Sequence, residues 1–247
     1  MTEERNVYLY WVGKEYKLIS ILRDLINLHS THGIGYKVNL ITDKNVSEYI
    51  QDIPDYFSNL CPAHQADFVR VHVICDYGGI WLDSDTIVVD KLDSLFDLIE
   101  KKNGFFIKEN NIHLVNGVFG SKKQTELMLQ WKSQITDVLN SKTAKNIKWT
   151  DIGSSLLKKI YDSNKTVYTE YEIFEGLDNL YPIYYKFCVN EFIEKPYDNY
   201  KNIVRKYQPL VVLVNSVYKK LEDKTDKEIL EGNMPINYFI NKSLDMM

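Results

Sequence analysis

Read for its hydrophobic and polar positions, the chain opens with a short β-rich run over residues 6–12 that stops at Gly13. A helical period follows over residues 14–29, where Leu18, Leu22, Leu25 and Ile26 share one face and charges fill the rest. Residues 36–41 alternate Val38 and Leu40 with Lys37 and Asn39, a strand pattern closing on the helix-start signal Thr42-Asp43. Residues 62–77 read as a helix, with Pro62 in its first turn and Gly78-Gly79 just beyond its end. Short strands are expected at 80–82 and 86–89, on either side of Asp83-Ser84-Asp85, and again at 105–108 and 112–119. Alternation of this kind predicts an α/β sheet with helices on its faces.

The second half is less regular. Residues 124–139 predict an amphipathic helix through Leu127, Trp131, Ile135 and Val138, and residues 154–161 another. Residues 211–214 read as a buried strand, and 226–241 as a helix interrupted at Pro235. No repeat and no Gly-, Ser- or Pro-rich linker divides the chain, so residues 1–247 are expected to form one domain.

Composition narrows the classes of function. A hydrophobic content of 45% excludes disorder, and 30 Lys+Arg against 34 Asp+Glu, net −4, leaves no basic excess for nucleic acid or an anionic membrane. The three cysteines, Cys61, Cys75 and Cys188, are odd in number and widely spaced, which suits a reducing compartment and excludes a Cys-x-x-Cys zinc site. The N-terminus lacks a basic region followed by a long apolar one, and no window approaches the ~20 apolar residues of a membrane span. A cytoplasmic protein without a signal peptide or transmembrane segment is the expectation. Aromatic residues make up 13%, with 18 Tyr, a figure that by itself separates neither core from site.

The chemistry concentrates in residues 63–90. Asp67 and Arg70 are three apart on the predicted helix and share a face. Gly78-Gly79 permits a sharp reversal, Ile80-Trp81-Leu82 follows as strand, and Asp83-Ser84-Asp85 closes it. Alternate side chains of an extended segment point the same way, so both carboxylates can face one cavity at a strand end, where α/β sheets bind ligands. Two carboxylates one residue apart suit Mg²⁺ or Mn²⁺ held together with substrate phosphates. Arg70 then either pairs with phosphate or holds Asp67 in position. A bare Asp-x-Asp also occurs in solvated turns, and an Asp/Arg pair on a helix is commonly a surface ion pair. Specificity lies in the whole combination at fixed offsets.

The stretch ADFVRVHVICDYGGIWLDSDTIVVDKL resembles the core of glycosyltransferase family 32, which includes capsule and mannan sugar transferases and the glucosylating domains of large clostridial toxins. That family's Ala-Asp, Arg, Gly-Gly-aromatic-x-Asp-x-Asp pattern is present throughout, including the 13-residue step from Arg70 to Asp83. The resemblance implies a GT-A fold: a Rossmann-like nucleotide-binding sheet flanked by helices (residues 1–120, donor and metal) with a smaller half for acceptor binding and C-terminal closure (121–247). It implies a nucleotide-sugar donor, with UDP-hexose favoured, Mn²⁺ or Mg²⁺, and transfer of a hexose with retention of configuration. The acceptor would be a hydroxyl of a glycan, glycolipid or protein. By the same resemblance Asp83 contacts the donor's ribose or sugar, beside Ser84, and Asp85 ligates the metal. Asp67 holds hydroxyls of the transferred sugar, and Arg70 contacts that sugar and the diphosphate.

Other assignments follow the same likeness. Tyr10 and Trp11 end the first strand in a Trp-x-Gly whose aromatic would pack on the nucleobase; a core aromatic is the plainer alternative. Asn116, in Val115–Gly120, would bond sugar hydroxyls, although Asn-Gly also makes turns. Thr150–Gly153 sits where relatives carry Thr-Gly-Pro, with two residues inserted here, and a plain helix cap at Thr150 or Asp151 competes with a role in acceptor handling. Relatives place a His or Ser-x-Trp after the last core strand. Here Asn215 or Ser216 would supply the metal oxygen and Tyr218 would cover the donor, since no His follows His113. His64 and His72 read as helix-surface or packing residues. Tyr181, Tyr184 and Tyr185 lie in the half expected to meet the acceptor. Two alternatives remain: a sugar nucleotidyltransferase, disfavoured by the single Gly in Gly13–Lys17, and a non-catalytic nucleotide-sugar or carbohydrate-binding module.

Overall fold

A computed structural model of the protein describes residues 4–31, 35–109, 113–141, 146–163, 167–175, 183–205 and 208–246. The chain divides into two compact units interleaved along the sequence: residues 1–13, 39–82 and 93–175 in the first, and 14–38, 83–92 and 176–247 in the second.

The first unit is built on a six-stranded mixed sheet. Its strands are β1 (Asn6–Trp11), β2 (Lys37–Thr42), β3 (Gly79–Leu82), β5 (Gly104–Glu109), β6 (His113–Ser121) and β7 (Tyr171–Glu175), where β4 is a strand of the second unit, Thr86–Val88. They run in the order β2-β1-β3-β6-β5-β7. β1 and β3 are parallel with Tyr8 opposite Trp81, β6 is antiparallel to both β3 and β5, and β7 is parallel to β5. Phe105 and Phe106 are neighbours in β5 and therefore point to opposite faces. Phe106 stacks on Phe119 at 5.3 Å and belongs to the core shared with α3 (Pro62–Tyr77), α5 (Glu126–Ser141) and α6 (Ser154–Ser163). On the other face α4 (Asp93–Lys101) brings Ile99 to Gly120 beside the Phe105 ring. The α/β architecture expected from the periodicity is therefore present, with helices on both faces.

α3 is the buried pillar of this unit. It spans the residues its caps predict, from Pro62 to Tyr77, and every residue from Phe68 to Cys75 is buried. Gly78 ends it with φ +71, and its N–H donates to the Ile74 carbonyl at 3.0 Å. Gly79, at φ +115, starts β3 so close to β1 that a Cβ there would lie 2.5 Å from the Asn6 carbonyl oxygen. The Gly-Gly pair thus lets β3 lie directly beside β1. β2 departs from its alternation: Asn39 is buried whereas Val38 and Leu40 are half-buried. The amide of Asn39 is satisfied there by donating to Asn6 Oδ1 at 3.0 Å.

The second unit packs α1 (Lys17–Thr31), a two-stranded sheet of β4 and β8 (Leu210–Val212), and the helices α9 (Asn215–Lys220), α10 (Asp226–Glu231) and α11 (Pro235–Leu244). α2 (Val46–Tyr49) and α7 (Val167–Glu170) belong to the first unit and α8 (Tyr200–Ile203) to this one. The predicted strand at 86–89 thus joins β8 rather than the central sheet, antiparallel with Thr86 opposite Val212. Leu18, Leu22 and Leu25 of α1 bury their stripe against Ile87, Val211, Ile236 and Ile240. The break expected at Pro235 is real: α10 stops at Glu231 and Pro235 occupies the first turn of α11. Among the described residues no helix is long and apolar enough to cross a membrane.

Candidate functional site

In the first unit, α3 lifts Asp67 and Arg70 into a closely packed polar cluster. Both are buried, at 6% and 5% exposure, which requires that their charges be compensated. Asn116 of β6 donates from Nδ2 to Asp67 Oδ1 at 2.7 Å. Arg70 Nε lies 3.5 Å from that same oxygen, and the guanidinium donates to the Asn116 carbonyl at 2.5 Å and to the Ala66 carbonyl at 3.2 Å. Its plane lies over the Trp81 ring, 5.2 Å from the centroid. Asp67 and Arg70, paired on one helix face in the sequence, and Asn116, read apart from them, are therefore one hydrogen-bonded group, with Trp81 beneath it.

Gly153 completes this cluster. A Cβ on it would lie 2.7 Å from Asn116 Nδ2 and 2.7 and 2.9 Å from the two oxygens of Asp67. The loop before α6 rests directly on the carboxylate, and only a glycine permits that approach. The loop is fixed from below, where the buried Trp131 donates from Nε1 to the Ile152 carbonyl at 3.1 Å. Asp151 closes a turn by accepting the Lys148 N–H at 3.0 Å, and Thr150 Oγ1 accepts from the Ser155 hydroxyl at 2.7 Å.

The two histidines of α3 are both buried, so they are packing residues. His64 Nε2 lies 3.2 Å from the Lys148 carbonyl. His72 stacks on Phe68 at 3.8 Å with Nδ1 2.8 Å from the Phe68 carbonyl, and burial pushes its pKa down to about 4. Tyr10 is also buried, donates its hydroxyl to Gln65 Oε1 at 2.9 Å, and has its pKa raised by burial; Trp11 is half-buried at the end of β1.

In the second unit, Asp83 and Asp85 are half-buried on either side of the buried Ser84. The Thr86 N–H donates to the Asp83 carbonyl and the Leu213 N–H to the Asp85 carbonyl, both at 3.0 Å. The second bond fixes Asp85 beside the end of β8, two residues before Asn215. Asn215 and Ser216 are exposed as the first two residues of α9. Tyr218, on the same helix, packs on Tyr16 with centroids 4.8 Å apart. Burial, then Asp85, Tyr16 and Asp83, push the Tyr218 phenol up to about 12.

This donor set suits a hard divalent cation that completes its shell with phosphate and water. It does not suit a metal needing a full protein cage: among the described residues no group of three or more His, Cys, Asp or Glu is placed to hold one. Of the aromatic residues expected near an acceptor, Tyr181 lies outside the described residues; Tyr184 and Tyr185 are in ring contact at 4.5 Å.

Comparison with known proteins bears on family and fold. Residues 1–201 match the family described as capsular polysaccharide synthesis protein. The chain belongs to that family. An uncharacterized protein of Arabidopsis thaliana is 33% identical over 75 residues, 26% of this chain and 12% of that protein, so the chain spans about an eighth of that relative's length. A solved glycosyltransferase involved in glycosylating the major capsid of PBCV-1 overlays 85% of this chain and 93% of its own, at TM-score 0.52 and 15% identity. The galactosyltransferase LgtC, solved with donor and acceptor sugar analogues, overlays 97% of this chain and 95% of its own at TM-score 0.45 and 10% identity. The chain thus joins that family to the GT-A architecture of the glycosyltransferase it overlays.

Two features of this family member escape a reading of its sequence. Gly153 stands 86 positions from Asp67, and nothing local to either residue announces their contact. Tyr16 lies in a run with only one glycine; its proximity to Tyr218 comes from tertiary packing.

Proposed function

We propose that this protein is a metal-dependent glycosyltransferase of the family 32 type, moving a hexose from a nucleotide-sugar donor, a UDP-sugar, to an acceptor hydroxyl with retention of configuration. The observation that supports it most is the Asp67–Asn116–Arg70 cluster, a buried carboxylate held by a neutral amide and a cation, in a chain of this family and fold. Residues 1–120 are assigned to donor and metal, and 121–247 to the acceptor and to C-terminal closure over the donor; the acceptor is a glycan, glycolipid or protein.

Asp85 and Asp83 would hold Mn²⁺ or Mg²⁺, with an oxygen from Asn215 or Ser216. When bound, the metal supplies Lewis-acid stabilisation of the departing diphosphate. The chain's own residues do the rest. Asp67 accepts from hydroxyls of the transferred sugar, Asn116 orients that carboxylate, and Arg70 offsets its charge within the buried cluster. Trp11, half-buried at the end of β1, is assigned to the nucleobase end, whereas Tyr10 points to the opposite face and packs in the core; Asp83 and Ser84 are assigned to the ribose, and Tyr218 covers the donor. Retention needs no dedicated base, because the leaving phosphate oxygen can take the acceptor's proton.

A thermal-shift screen of UDP-glucose, UDP-galactose, UDP-N-acetylglucosamine and GDP-mannose with Mn²⁺ tests the donor assignment. A ligand present at a hundred times its Kd stabilises the fold by about 2.7 kcal/mol, a readily measured shift. No shift with any of the four contradicts the reading. The anomeric configuration of the product, determined by NMR, tests retention; an inverted product defeats it.

A further inference from the structure

Trp149 is the most exposed of the large hydrophobic residues described, at 68%. An indole exposed to this degree leaves most of its apolar face open to a ligand. Here the backbone on both sides is tied so that the ring stays outside. The Lys148 carbonyl accepts from Asp151 N–H at 3.0 Å and faces His64 Nε2 at 3.2 Å. The Ile152 carbonyl is held by Trp131, and Gly153 is seated on Asp67 and Asn116. The His64 ring, 6.4 Å from the indole, is the ring beside it.

We propose that Trp149 is the platform on which a pyranose ring of the acceptor stacks. The inference rests on the glycosyl-transfer reading above and deepens it by naming the acceptor class. Sugar rings present an apolar C–H face to an aromatic plane and polar edges to neighbouring donors and acceptors. Trp149 offers such a plane, with the Thr150 hydroxyl and the Asp151 carboxylate adjacent in the chain. It is joined to the sugar-holding cluster by a short span, because four residues reach at most about 14 Å, the length scale of a short saccharide. A stacked nucleobase is the other ligand that suits an exposed indole. The net charge of −4 and the absence of a basic excess do not favour a nucleic acid.

The experiment uses the full chain with Mn²⁺ and whichever of the four nucleotide sugars it hydrolyses. Donor hydrolysis and transfer to p-nitrophenyl glycosides of glucose, galactose, mannose and N-acetylglucosamine are measured for wild type, Trp149→Ala and Trp149→Phe. Trp149→Ala should keep wild-type hydrolysis and lose about tenfold in transfer kcat/KM through a raised acceptor KM, the size expected of one aromatic stack. Trp149→Phe should recover most of that loss. Equal transfer by wild type and Trp149→Ala overturns the proposal, as does a wild type that hydrolyses donor yet transfers to none of the four glycosides. A wild type that hydrolyses no donor overturns the glycosyl-transfer reading itself, so the two failures are separable.

Discussion

Replacing Gly153 with alanine adds a single methyl group at the point where the loop before α6 meets the Asp67 carboxylate. The new Cβ would stand 2.7 Å from Asp67 Oδ2 and from Asn116 Nδ2, and 2.9 Å from Asp67 Oδ1, well inside van der Waals contact. Gly153 is not among the residues of positive φ, so its backbone suits alanine and the effect is steric. Side-chain ends can often swing aside, but these are buried and held: Asp67 by Asn116 at 2.7 Å, and the Asn116 carbonyl by Arg70 at 2.5 Å. Overpacking of such a site costs about 1–3 kcal/mol. For a chain of this length that corresponds to roughly 2–4 °C of Tm per kcal/mol. Donor hydrolysis should fall together with the melting temperature, because the carboxylate assigned to the sugar is displaced. In an Asn116→Ala background one of the clashing atoms is gone, and the same methyl group should cost less than it does alone. Thermal melts and hydrolysis rates of the four proteins test this. A Gly153→Ala protein that melts and turns over as wild type would show that the loop does not press on Asp67.

Asp85→Asn keeps the shape of a half-buried side chain and the backbone bond to Leu213; the protein should still melt cooperatively as a folded chain while losing Mn²⁺-dependent hydrolysis, and wild-type rates would contradict the metal assignment. His72 sets a pH dependence. Its folded pKa, about 4 against 6.5, means that the unfolded chain takes up a proton there which the folded chain refuses, so stability falls as pH drops through that window. The full effect is about 3 kcal/mol. Thermal melts across that range, compared with His72→Asn, whose amide can keep the bond to Phe68, test it: an unchanged pH slope in the variant refutes this role for His72.

What could be read from the residues was what local signals encode. Pro62 and Gly78-Gly79 bounded α3 correctly because caps act within one turn, and Pro235 split the last helix for the same reason. Asp67 and Arg70 had to share a face once that helix existed. α4 leaves no readable period, since nine residues with Leu95, Phe96 and Ile99 buried make too short a stripe. β7 carries no local signal either: it is a five-residue edge strand whose pairing with β5 depends on a partner more than sixty positions away. The strand after Asp85 was found but its partner was not, because three residues of β-branched sequence fit either sheet equally well. The polar cluster divided the same way. Asp67, Arg70 and Asn116 were each marked by residue type and spacing, whereas Gly153 and Trp149 owe their positions to a loop held by Trp131 and His64, contacts between distant segments.

Donor hydrolysis with Mn²⁺, with chelator in its place, and with the Asp85→Asn protein tests the central claim most directly. The account predicts release of free hexose and nucleoside diphosphate only by the wild type with metal. Hydrolysis that is absent in all three cases, or equal with and without metal, would contradict it.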